Sequence, residues 1–179
     1  MSVFTNPAGR DPAASREYVD ALLGLLGDRD PVDVMAGQVA ALDGLTRGLD
    51  DRRLRTPEAP GKWSVIEVLA HLADTEMVYA WRYRLCLAQD RPPLTGFDQD
   101  AWARAFRYRE QPLDRTLERI RVARESNLDL LRALGPDDWA RDGLHNERGP
   151  ESVRRTVELG AGHDLLHRNQ IIRILGAIG

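Results

Sequence analysis

The sequence predicts an all-α protein, a four-helix bundle with an extra short helix near its N-terminus and long connections between the main helices. Four long segments repeat apolar residues at about the 3.6-residue period of one helix face, and no segment has the convincing pattern of a strand. With 179 residues, of which 42% are hydrophobic and 30% charged, the chain can form one domain with a sizeable core. Amphipathic helices without a sheet bury their apolar faces against one another, which favours a bundle.

The N-terminal region, residues 1–29, is predicted to be an arm followed by a short helix. Two prolines and a glycine break any regular pattern in residues 1–12. A helix is then expected over about residues 13–26, and Gly27 ends it. Residues 30–179 are expected to form the bundle domain.

The first two long helices have clear start signals. Asp30 is placed to cap the first helix, whose apolar stripe continues to Leu49. A connection rich in proline and glycine follows over residues 51–63. The segment Ser64-Val65-Ile66-Glu67 then has the pattern of a capping box, and it predicts a second long helix that runs to about Ala88.

The second half of the chain predicts two more long helices. In the short helix that precedes them, Trp102 and Phe106 are four residues apart and are expected on its inner face. A Gly-Pro pair at 135–136 ends the third long helix. The predicted bounds are 98–106 for the short helix, 113–134 for the third long helix, 140–150 for an irregular segment or small hairpin, and 151–175 for the fourth long helix.

Composition excludes several function classes. The formal net charge is −3 and the arginines are scattered, so there is no basic excess to bind the phosphates of a nucleic acid. No apolar run approaches the ~18 residues that could span a membrane. A single cysteine, Cys86, allows no internal disulfide and fits a reducing compartment. A cytoplasmic protein that binds neither nucleic acid nor membrane is expected.

The four histidines carry the strongest functional signal. His163 and His167 are four residues apart in the apolar stripe of the fourth helix, so both side chains are expected to point into the bundle. His71 lies on the second helix, and bundles build metal sites from facing helices. A helical His-x3-His pair also arises by chance, and a buried histidine that is simply hydrogen-bonded remains the alternative. His145 lies in the irregular segment and is expected at the surface.

Two motifs resemble those of a known family. The motifs are Trp63-Ser64-x-x-Glu67 leading to His71-Leu72-Ala73-Asp74, and His163-Asp164-x-x-His167-Arg168-x-Gln170-Ile171, about 90 residues further on. They resemble the second-helix and last-helix motifs of the DinB-like (DinB/YfiT) family of metal-binding helical bundles. The resemblance implies a four-helix bundle that holds a divalent metal ion with His71, His163 and His167. It also implies a homodimer, as in many relatives.

Three further residues are candidates to orient the imidazoles. Asp74 lies one turn beyond His71, Asp164 is next to His163, and Gln170 lies one turn beyond His167. For the two aspartates, a solvated helix face is an equally good interpretation. Glu67 is better explained as a helix cap than as a catalytic base.

The resemblance leads to a hypothesis about the reaction. Some relatives are transferases or isomerases that use a low-molecular-weight thiol, so we expect metal-dependent transfer between a small-molecule thiol and an electrophilic substrate. The alternatives are a metal-dependent hydrolase and a non-catalytic, stress-linked metal-binding protein. Zinc or nickel is the expected ion, with iron or manganese as alternatives. Arg82 and Arg84 could attract a carboxylate-bearing thiol, although ordinary surface charge explains them better.

Overall fold

The computed structural model describes residues 12–179, and its four long helices confirm the predicted bundle. Between them lie shorter helices, two 3-10 turns and a small sheet. The helices are α1 (Pro12–Leu26), α2 (Pro31–Thr46), α3 (Asp51–Arg55), α4 (Val65–Ala88), α5 (Gln99–Ala105), α6 (Leu113–Arg132) and α7 (Val153–Ile178). The strands are β1 (Pro93–Leu94), β2 (Asp142–His145) and β3 (Gly149–Ser152), and the 3-10 turns are Tyr108–Glu110 and Asp138–Ala140. The predicted arm, residues 1–12, lies outside the described residues except for Pro12.

The bundle consists of α2, α4, α6 and α7, and the first two of these helices begin where the caps predict. The Asp30 side chain accepts a hydrogen bond from the Asp33 backbone N–H at 3.0 Å, which satisfies one free donor of the first turn. Ser64 donates from its backbone N–H and its hydroxyl to Glu67, at 2.8 and 2.6 Å. Glu67 is therefore a helix cap, as expected.

The short helix α1 packs on α7. Leu22 is buried in a cluster with Leu159 and Leu166 of that helix. The two backbones approach closely at Gly162, where an added Cβ would lie 2.8 Å from the carbonyl carbon of Leu22. A glycine at this position lets the two helices meet without a side chain between them.

The predicted small hairpin is present as β2 and β3, which pair antiparallel. Strand β1, which was not expected, adds to it in parallel, with Leu94 opposite His145. A strand of two residues is too short to show an alternating pattern of apolar residues, so β1 could not be predicted from the sequence. The close pairing also needs Gly143, because a Cβ there would lie 2.8 Å from a backbone oxygen of Pro92. The sheet turns His145 toward α4.

Two expectations about local structure are wrong. The connection after α2 contains a short helix, α3, that was predicted as loop. Phe106, expected on an inner face, is 50% exposed, because α5 is a short helix at the surface with no fully buried residue. Among the described residues, no helix combines the length and the apolar character that crossing a membrane would require.

Candidate metal centre

Three imidazoles meet between α4 and α7. Nε2 of His163 lies 3.1 Å from Nε2 of His71 and 3.0 Å from Nε2 of His167. All three side chains are almost fully buried, with exposures of 1 to 6%. Within residues 12–179, this is the one group of three or more His, Cys, Asp or Glu side chains close enough to hold a metal ion. The predicted ligand set is thus brought together.

The geometry and the chemistry of the group fit a divalent ion. Nitrogens that each lie about 2.0–2.1 Å from one ion are about 2.8–3.4 Å apart when the angle between their bonds lies between a right angle and the tetrahedral angle. The two separations from Nε2 of His163, 3.1 and 3.0 Å, fall in this range. Imidazole nitrogens suit zinc, nickel, copper and iron, so the donor set does not select one metal. Cys86, buried in a cluster with Tyr83 and Val153, is not part of the group. The three histidines therefore leave coordination positions open to other ligands.

The imidazoles are held in their neutral, metal-binding form. Burial lowers the pKa of His71 and of His163 well below 6.5, and the neighbouring imidazoles lower both further. Burial also lowers the pKa of His167, to about 4. At neutral pH each ring consequently has one nitrogen lone pair available, and no proton has to be displaced for a metal ion to bind.

Gln170 contacts His167, the imidazole that the sequence suggested as its partner. The Nδ1–H of His167 donates to Oε1 of Gln170 at 2.7 Å, so the lone pair is on Nε2, the atom that faces the other two imidazoles. His71 has no such support, because its Nδ1 is buried without a hydrogen-bond partner among the described residues. The Trp63 ring, whose centroid is 5.1 Å from that of His71, packs against this imidazole instead.

Asp74 and Asp164, the other two residues suggested as partners of the imidazoles, bind different groups. Asp164 accepts hydrogen bonds from Arg124 at 2.6 and 3.0 Å. Asp74 accepts one from the Tyr108 hydroxyl at 2.6 Å and forms an ion pair with Arg119. Neither is on a solvated face, since both side chains are buried. They hold the helices that carry the histidines.

Arg124 is the centre of a buried ion network beneath the histidines. Besides Asp164, it binds Glu76 at 2.5 Å, and Asn127 donates to the same carboxylate at 3.1 Å. The network joins α4, α6 and α7, and the sequence analysis missed it. In the sequence, this network is indicated only by charged residues, such as Glu76, that lie among the apolar residues of a helix face. With both carboxylates paired to Arg124, this network leaves no free general base next to the histidines.

The predicted surface positions of His145 and Arg82 are wrong. His145 is 3% exposed and Arg82 is 7% exposed, and Nη2 of Arg82 lies 3.2 Å from Nε2 of His145. Pairing of β2 with β1 brings this imidazole over α4. Burial and the nearby Arg148 and Arg82 lower the pKa of His145 to about 3, so it is neutral.

Two cavities adjoin the three histidines. A pocket of about 40 Å³ touches His71 and His163, and it continues to Arg82 and His145. A wider cleft of about 220 Å³ touches His167 on the other side. The buried centre is therefore next to space that a small molecule can enter.

Comparison with known proteins places this arrangement in a family. The model of the DinB superfamily matches residues 37–171, a segment that includes all three histidines. The chain belongs to the DinB superfamily. The solved structure of YfiT from Bacillus subtilis, described as a probable metal-dependent hydrolase with an unusual four-helix bundle topology, has the same fold. It superposes with a TM-score of 0.73 at 23% identity, over 82% of this chain and 86% of YfiT.

Two curated relatives are provisionally named metal-dependent hydrolases. A protein of Oceanobacillus iheyensis is 30% identical over 119 residues, which are 66% of this chain and 69% of the relative. A protein of Geobacillus thermodenitrificans is 31% identical over 101 residues, which are 56% of this chain and 57% of the relative.

Proposed function

We propose that this protein is a metal-dependent hydrolase whose divalent ion is held by His71, His163 and His167. The observation that carries the proposal is the convergence of three neutral, buried Nε2 atoms with no fourth protein ligand among the described residues. A structural zinc site is normally closed by four protein ligands, whereas a catalytic site keeps a position open. The provisional names of the curated relatives agree with this choice.

The side chains around the site have separate roles in this proposal. When bound, a divalent ion supplies a Lewis acid and lowers the pKa of a coordinated water toward neutrality. Gln170 keeps the lone pair of His167 directed inward. Trp63 and Phe97, with ring centroids 5.1 and 6.3 Å from that of His71, cover this imidazole and help to exclude bulk water.

The experiment begins with metal content and then measures hydrolysis. The purified protein is expected to contain about one divalent ion per chain, and His163→Ala and His167→Ala should lose it. His145→Ala is the matched control, since it removes a buried histidine that is not in the group, and it should keep the ion. The metal-loaded protein should hydrolyse simple esters or amides, and chelation should abolish the activity. Full metal retention in either of the first two variants would refute the ligand assignment.

Thiol-dependent transfer and non-catalytic metal binding are the competing functions, and the same assay separates them. Adding a small-molecule thiol and an electrophile to the metal-loaded protein tests transfer. Turnover that requires the thiol would replace the hydrolase proposal with the transferase. No turnover in any assay, despite a full complement of metal, would leave a metal-binding protein without catalysis.

A further inference from the structure

Arg82 lies on the same side of α4 as the metal-binding group. It is eleven residues after His71, close to three full turns, so the two side chains share one face of the helix. Thr75 and Tyr79 lie between them, and all four line the pocket of about 40 Å³ that also touches His163. Long side chains on a helix lean toward its N-terminus, which brings the Arg82 guanidinium back toward the histidines.

The guanidinium of Arg82 is buried without a carboxylate partner. Its Nη2 donates to the Thr95 carbonyl oxygen at 2.9 Å and faces Nε2 of His145. Within the described part of the chain, its Nε has no partner, and no hydrogen bond is formed by Nη1. A buried charge normally has a counter-charge, and a buried donor normally has an acceptor. Arg82 therefore lacks an anion.

The other charged groups near the pocket do not provide one. Arg148 is bound to Glu151 at 2.5 and 3.0 Å, and Glu151 also accepts from Thr156, so this carboxylate is already used. Glu147 lies at the rim, where its carboxylate packs against Gly96. Burial has the largest effect on the pKa of Arg82 and lowers it; Arg148 lowers it too, whereas Tyr79 and Glu151 raise it. Among the described residues, no carboxylate forms a hydrogen bond or ion pair with this guanidinium.

We propose that Arg82 binds a carboxylate group of the substrate, in the pocket beside His71 and His163. This inference rests on the proposed function, and it identifies the substrates as carboxylate-bearing esters or amides. The pocket is too small for a whole substrate and suits one compact group, which favours a carboxylate over a phosphate. The rest of such a substrate would reach from the pocket to the histidines, so the scissile bond is a few bonds away from the carboxylate.

The first experiment measures anion binding without metal and without turnover. Metal-free protein is titrated with sodium acetate at constant ionic strength, and the arginine Nε–H signals are followed by nitrogen-15 NMR. Arg82→Lys identifies the Arg82 signal by removing it. We expect acetate to shift this signal saturably and to leave the signal of Arg84, an exposed residue on the same helix, in place. No saturable shift refutes the proposal, and a shift with inorganic phosphate but not with acetate refutes the choice of a carboxylate.

The second experiment tests substrate preference in the metal-loaded protein. Two esters share one leaving group, but one ends in a free carboxylate and the other in the corresponding neutral amide. The wild type should prefer the carboxylate ester in kcat/KM by about tenfold or more, the range expected for a buried hydrogen bond to a charged group. Arg82→Met should remove most of this preference, whereas Arg84→Met should keep it. An equal preference in both variants would overturn the assignment.

The two experiments fail in different ways. If the wild type hydrolyses neither ester, the proposed hydrolase is wrong, but the acetate titration still decides whether Arg82 binds an anion. If Arg82→Met does not fold by circular dichroism, Arg82→Lys replaces it in the ester assay. Lysine keeps the positive charge, but its single ammonium group cannot bind both carboxylate oxygens side by side as a guanidinium can. Arg82→Lys should therefore retain part of the preference.

Discussion

The hydrogen bond between His167 and Gln170 predicts a specific loss of metal affinity. Gln170→Ala removes the acceptor that holds the Nδ1–H of His167 at 2.7 Å, so the imidazole can rotate or change tautomer. Removing such a partner of a metal ligand typically weakens metal binding by about 10–100-fold, which is about 1.4–2.7 kcal/mol. The change should appear in the dissociation constant and not in the number of ions bound, because all three ligands remain.

The assay is a competition titration of zinc between the protein and a chelator that changes colour on binding. Asn169→Ala is the matched control, since it shortens an exposed neighbour on the same helix, and it should leave the dissociation constant unchanged. Asp74→Asn should lower the melting temperature, because it weakens the contacts with Tyr108 and Arg119, but it should not change metal affinity. Equal affinity in Gln170→Ala and the wild type would refute the role of this hydrogen bond, and a large loss in Asp74→Asn would refute the separation of the two networks.

Three other predictions concern stability and assembly. Gly162→Ala should cost about 1–3 kcal/mol of stability in urea melts, because its Cβ would meet the Leu22 backbone, whereas Gly176→Ala, with open space on the same helix, should stabilise by up to about 1 kcal/mol. Without metal, the pKa of His167 is about 4 in the folded protein because the imidazole is buried, whereas in the unfolded chain it is about 6.5. Stability should therefore be complete above about pH 6.5 and fall by about 3 kcal/mol from this group as the pH decreases to 4. The predicted homodimer should give twice the mass of the chain in light scattering, and a monomer would contradict it.

The elements that the sequence predicts well are those with local signals. Caps at Asp30 and Ser64 are formed within one turn of the helix, so their residues lie close together in the chain. The contact between His167 and Gln170 is of the same kind, because residues three apart on a helix are neighbours whatever the tertiary structure is. The pairing of His71 with His163 needs two facing helices, and it follows from the family motifs and not from spacing alone.

The incorrect expectations concern contacts between distant segments. Asp164 is next to His163 in the chain, but successive side chains on a helix point about 100° apart, so the carboxylate faces α6 and binds Arg124 there. His145 was expected at the surface because it lies in a segment that was predicted to be irregular. Its burial depends on β1, a strand of two residues whose pairing leaves no trace in hydrophobic periodicity.

The arginines show why the local pattern could not distinguish a surface charge from a binding residue. Arg124 and Arg148 also reach into the protein, and each is paired with carboxylates of the chain itself. In each pair the carboxylate is buried, and removing its arginine would leave an unpaired buried charge, which typically costs about 3–5 kcal/mol. Arg82 is buried, as Arg124 is, yet no described carboxylate of the chain pairs with it. The chain thus keeps a costly cation beside the histidines, and a substrate carboxylate is the partner that would offset this cost.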